Sequence, residues 1–209
     1  MDNEYQKKSR VFKNGVKVPT PSVEEVQSYL DLWDKLENYT LQENALNKLF
    51  LTVYPTNTEI NDILIKVASL NDFYSTNIFS PFKMAKHILE LKIDDRLRAG
   101  DLTLINDIAL LETKAGKTVS MYSFATKYCS HHLPEVYPIY DSYVDDILRH
   151  FKYVDRFYEF DKADLKDYPK FLNVILQFQK YYQIEKFNIK EIDRYLWQVG
   201  KKHFPRTYK

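Results

Sequence analysis

The sequence predicts an all-α protein of many short helices. Three observations carry this. Apolar residues recur at helical spacing through most of the chain. Helix-start signals precede several of those runs, as Ser22 with Glu25 and Ser80 with Pro81 do. Nowhere is there the sustained alternation of a sheet, and four glycines in 209 residues leave little material for a turn-rich β architecture.

The elements follow in order. Residues 1–21 have no clear period and read as an arm or a short hairpin, VFKNGVKV, turning at Lys13-Asn14-Gly15. Residues 22–209 read as one helical domain or two lobes, with a hairpin-like region at 110–151. The first helix runs from Ser22 to about Glu37, with Val23, Val26, Tyr29, Leu30 and Trp33 on one face. A second spans Thr40 to Val53 and stops before Pro55. A third opens at Thr58-Glu59-Ile60, and a fourth covers 81–92. Shorter helices are expected at 94–99 and at Leu102 to Ile108. After the polar break ETKAGKT comes a helix over 119–132, with Val119, Tyr122, Phe124, Ala125 and Tyr128 inward. Ser142 to Phe151, Tyr168 to Tyr182 and Ile189 to Gly200 complete the set, with Gly200 as a C-terminal stop.

Composition narrows the class. An apolar content of 44%, with 15% aromatic residues, suits a packed core. No apolar run approaches the roughly 20 residues of a membrane span, and MDNEYQKKSR lacks the apolar segment of a signal peptide. A single cysteine forms no internal disulfide, so an intracellular, cytoplasmic protein is expected. The net charge of +1 is unevenly spread: residues 1–20 carry +3 and residues 186–209 carry +5, around an acidic middle. Basic ends suit a nucleic-acid contact, or are simply solvated termini.

The stretch YSFATKYCSHHLPEVYPIYDSYV, residues 122–144, concentrates the reactive side chains. Cys129, His131, His132 and Asp141 are candidate metal ligands, but adjacent helical histidines point about 100° apart and rarely share an ion; no metal or other cofactor is expected. Cys129 with His132 is a candidate nucleophile pair, or ordinary helix packing. Asp141 stands just before a new helix. It is either an N-cap alone or a carboxylate held rigidly at the mouth of a cleft.

The run PIYDSYVDDILRHF resembles the PILDGNVKRVLARY-type segment of the helix-hairpin-helix DNA glycosylases, most closely their adenine glycosylase branch. Residues 44–78 are similar to the family's upstream helices, and the resemblance covers about 40–152. It implies a two-lobed helical fold, duplex DNA with a damaged or mismatched base as partner, and Asp141 as the catalytic carboxylate. The four-cysteine iron–sulfur loop of some branches is absent. The glycine-rich hairpin that holds a DNA phosphate in the family falls here at LETKAGKTVS, where Lys114, Gly116 and Lys117 become the candidate DNA contacts. Lyase members carry a lysine at the hairpin helix start. The corresponding position is Ser123, a further candidate contact, and Lys127 lies one turn along the same face. Lys127 is either the replacement amine or a solvated surface lysine. The flipped base would stack among Phe73, Tyr74, Tyr122, Phe124 and Tyr140, although any of these can be plain core. A catalytically silent nucleic-acid- or protein-binding module of the same fold is the competing expectation, and an unrelated helical protein the third.

Overall fold

The computed structural model describes residues 17–112 and 116–206. The expected arm at 1–21 therefore falls almost wholly outside the described residues. Among the described residues are ten α-helices and one two-stranded ribbon, an all-α fold as expected. The helices are α1 (Val23–Trp33), α2 (Glu37–Lys48), α3 (Ile60–Tyr74), α4 (Pro81–Leu91), α5 (Asp94–Arg98) and α6 (Leu104–Ala109), followed by β1 (Leu110–Glu112) and β2 (Thr118–Ser120), then α7 (Tyr122–His132), α8 (Ser142–Asp155), α9 (Tyr168–Tyr181) and α10 (Ile189–His203). Among the described residues no helix is long and apolar enough to cross a membrane.

Local chemistry explains the boundaries. Ser22 Oγ accepts the Glu25 N–H at 3.1 Å and starts α1. Ser80 caps α4, with Pro81 in the first turn. Asn188 and Glu191 form a reciprocal capping box at the head of α10. The expected second helix begins three residues early, at Glu37, and its last turn widens into a π-helix, Leu49–Val53. Pro55 ends it, and Lys66 Nζ gathers the carbonyls of Tyr54 and Thr56 at 3.0 and 2.8 Å and Asn57 Oδ1 at 2.7 Å.

Two expectations are corrected. The helix expected from residue 119 starts at Tyr122, because Thr118–Ser120 pair antiparallel with Leu110–Glu112, Leu111 opposite Val119. β-branched Thr118 and Val119 favour the strand, and Gly116 takes the positive φ of 69° in the turn. The stretch likened to the glycine-rich hairpin is thus flanked by two paired strands. Gly200 does not stop α10, which continues to His203. A Cβ on Gly200 would lie 2.6 Å from the Tyr143 carbonyl oxygen, so this glycine exists to let α10 meet the first turn of α8.

One continuous core runs from Val26 in α1 to Phe204. Helix α10 packs on α1 and α8; α3 packs on α4 and α7; α6 and the π turn also pack on α7. Helix α7 is consequently buried from Phe124 to His131, and its polar side chains are buried with it.

Candidate functional site

The loop 133–141 between α7 and α8 is held at Pro138, Ile139 and Tyr140. Tyr168 Oη donates to the Pro138 carbonyl at 2.9 Å. The Ile139 N–H donates to Asp193 Oδ2 at 2.9 Å. The Tyr140 N–H donates to Thr126 Oγ1 at 3.1 Å, and that hydroxyl lies 3.3 Å from the Tyr140 carbonyl. Such anchoring fixes where Asp141 stands. Its Oδ1 accepts the N–H groups of both Tyr143 and Val144, at 2.8 and 2.9 Å, which is the N-cap expected from the sequence. Its Oδ2 accepts no hydrogen bond from the described residues, so one oxygen builds the helix and the other stays available.

Lys127 is not a solvated surface lysine. Its position on the buried face of α7 leaves it 3% exposed. The Nζ donates to Ser123 Oγ at 2.6 Å and to the Tyr140 carbonyl at 3.4 Å, and it lies 5.4 Å from the Tyr74 ring centre. No carboxylate of the described residues comes within 4.0 Å of it. Burial lowers its pKa, with Asp141 and Asp193 pulling the other way. Ser123 thus accepts a hydrogen bond from Lys127.

Around this amine lies a polar cluster that the motif reading missed. Asp193 of α10 is 5% exposed, and its Oδ1 is buried without a partner. Burial first, and Asp141 beside it, push its carboxyl up to about 8, against the pull of Lys190, the Ile139 N–H and Lys127. Buried Glu43 of α2 takes Lys190 at 2.8 Å and Arg194 at 2.6 Å, tying α2 to α10. Burial alone would raise its pKa, but these two cations outweigh burial and lower it. Tyr74 Oη lies 3.1 Å from His131 Nε2, and His131 Nδ1 has no partner. Burial, with Lys190, His132 and Lys127 nearby, holds His131 well below its usual range, so it is neutral. Asp193 had a sequence signal: it is a charged residue beside Ile189, Ile192 and Leu196 on the apolar stripe of its helix.

The other candidates separate. Tyr74 joins Lys127. Tyr122 and Tyr140 form their own pair, ring centres 5.1 Å apart, covered by Lys166 Nζ at 5.1 and 3.8 Å. Phe124 is core against Tyr128, and Phe73 is 37% exposed on α3. Among the described residues no ring contact joins Phe73, Tyr74 or Phe124 to the Tyr122–Tyr140 pair. Gly116 and Lys117 are exposed in the ribbon turn; Lys114 lies outside the described residues. Cys129 is fully buried, and burial pushes its thiol far up, which removes the thiolate a nucleophile needs. Among the described residues no group of three or more His, Cys, Asp or Glu side chains is placed to hold a metal ion.

Residues 25–136 match the model of a family described only as an N-terminal domain, HI_0787_N. An uncharacterized protein of Haemophilus influenzae is 47% identical over 151 residues, 72% of each chain. The chain belongs to that family. The family match takes in α1 to α7, with Ser123, Lys127 and His131, and ends before Asp141 and Asp193. No solved structure matches this chain.

Proposed function

We propose that this protein cleaves the N-glycosidic bond of a base flipped out of DNA, with Asp141 facing the sugar and Lys127 acting as the amine nucleophile. The observation that carries the reading is Lys127: a desolvated lysine with no ion-pair partner in reach, bonded to the carbonyl of the residue that precedes Asp141. Desolvation favours the neutral amine, which is the form that attacks carbon. As the base departs, positive charge grows on the sugar, and a fixed carboxylate with a free oxygen stabilises it. Attack of the amine at C1′ leads to a Schiff base, and strand cleavage follows. At 3% exposure Lys127 is covered, so a substrate has to displace covering side chains to reach it.

One observation favours the competing reading of a silent binding module. The paired strands β1 and β2 flank the place where the resemblance put a phosphate-holding glycine-rich hairpin. In that reading Asp141 is a cap and Lys127 a buried strut.

The test is base release from duplexes carrying uracil, 8-oxoguanine, alkylated bases or adenine opposite 8-oxoguanine, with hot alkali to cut abasic sites. Release by the wild type that is lost in Asp141→Asn is the expected result. No release from any duplex, by a folded protein, favours the binding module.

A further inference from the structure

Both tryptophans of the sequence, Trp33 and Trp197, stand in one cluster on α10. Their ring centres are 5.8 Å apart, and the Tyr39 ring lies 6.1 Å from the first and 5.0 Å from the second. All three rings are half-buried. Two cations sit against them. Lys201 Nζ lies 4.6 Å from the ring centres of both Tyr39 and Trp197, and it donates to the Tyr39 hydroxyl. The Arg194 guanidinium lies 5.5 Å from the Trp33 ring centre.

The period of the helix makes this a stripe. Lys190, Arg194, Trp197 and Lys201 recur at intervals of four, three and four residues, while Ile192, Tyr195, Leu196 and Val199 are buried in the core. The stripe holds more positive charge than the fold neutralises. A single carboxylate, Glu43, serves both Lys190 and Arg194. Among the described residues no carboxylate lies within 4.0 Å of Lys201 or of its exposed neighbour Lys202. Asp34 and Glu37, at the turn from α1 to α2, are exposed and pair with none of these cations. Donors are also in excess: Trp33 Nε1 and Arg194 Nε have no acceptor among the described residues. The stripe ends beside the site. The Trp197 ring lies 6.3 Å from that of Tyr143, whose N–H donates to Asp141 Oδ1 at 2.8 Å.

We propose that this stripe of α10 is the surface on which the sugar–phosphate backbone of DNA lies, beside Asp141. The proposal rests on the reading of DNA as the partner and not on the cleavage of any bond. Phosphates supply the negative charge and the acceptor oxygens that the stripe lacks. The rings supply flat apolar faces for the sugars and for any base unstacked beside them. An acidic peptide would meet the cations but bring no such partner for the three rings.

The test is a binding titration without turnover, in which an unmodified short duplex is added to the protein and tryptophan fluorescence is read at several salt concentrations. The two indoles are the sequence's only ones, so the signal reports this stripe directly. Quenching by the duplex is expected. In Lys201→Gln with Lys202→Gln, which keeps both indoles, the slope of log affinity against log salt is expected to be shallower by about two. The same charge removal on α4, Lys83→Gln with Lys86→Gln, is expected to leave the slope unchanged. No quenching in the wild type, an unchanged slope in the α10 variant, or an equal loss in the α4 variant overturns the proposal. So does poly-glutamate that quenches the indoles and displaces the duplex at equal charge, since the stripe then accepts any polyanion. Should the α10 variant fail to fold, acrylamide quenching of the wild type decides: bound duplex is expected to shield the indoles, and unshielded indoles in a bound complex overturn it. A reduced slope supports the stripe even in a protein that releases no base, and an unreduced one sinks it even in one that does.

Discussion

Replacing Gly200 by alanine sets two physical effects against each other. Within a helix, alanine is favoured over glycine by about 0.8–1.0 kcal/mol, so propensity alone predicts stabilisation. The packing predicts the reverse. The new Cβ would stand 2.6 Å from the Tyr143 carbonyl oxygen, 2.9 Å from its carbon and 3.0 Å from its Cβ, well inside ordinary contact, which begins near 3.4 Å. Two of those three atoms are backbone, so no side-chain rotation relieves them. Helices α8 and α10 have to separate, at a cost of roughly 1–3 kcal/mol. Packing is expected to win, with a net loss of up to about 2 kcal/mol and a Tm lower by up to about 8 °C. Thermal denaturation followed by far-ultraviolet circular dichroism reads it. A Tm equal to or above that of the wild type would refute the close approach. Because the crowded residue lies two positions after Asp141, the same variant is expected to lose base release as well.

Four further outcomes are expected. Asp193 has a folded pKa of about 8, above its unfolded value, so its contribution to stability is fully present below about pH 4 and is lost as pH rises through 8; urea denaturation is expected to show Asp193→Asn gaining on the wild type across that window. Burial, with Lys66 nearby, pushes His132 down to about 3, so the neutral ring contributes stability above about pH 6.5 that is lost as pH falls toward 3; His132→Gln is expected to flatten the acid limb of a Tm-against-pH curve. Lys127→Met removes an amine whose ammonium form is desolvated in the fold, so its Tm is expected to gain on the wild type as pH falls, while DNA strand cleavage disappears. Asn188→Ala breaks the capping box of α10 and is expected to cost about 1 kcal/mol in denaturant titration, with base release unchanged.

Much of this fold is legible in local sequence, and the exceptions share a cause. Helices with a cap and an apolar stripe, such as α4 from Ser80-Pro81 and α9 from Asp167, end within a residue or two of expectation. The failures lie where tertiary contact overrides local preference. Val119 has the spacing of a helix face but pairs with Leu111 across a ribbon that only the folded chain brings together. Gly200 has the look of a helix stop, and only the approach of Tyr143 shows why the helix runs through it. In the site, Asp141 and Lys127 were legible because each sits at a fixed offset within one continuous stretch. Asp193 and Glu43 come from α10 and α2, far along the chain, and join the site only through the packing of those helices. Their trace in the sequence was a charge on an apolar stripe, which marks a buried polar residue without naming its partner.

The central claim is that Lys127 is a nucleophile beside Asp141. The most direct measurement is borohydride reduction of the protein mixed with a duplex holding one abasic site, followed by mass spectrometry of the tryptic peptides. The account predicts a covalent protein–DNA adduct on Lys127, lost in Lys127→Met and weakened in Asp141→Asn. An adduct on another lysine, or none from a folded protein that binds the duplex, would contradict it.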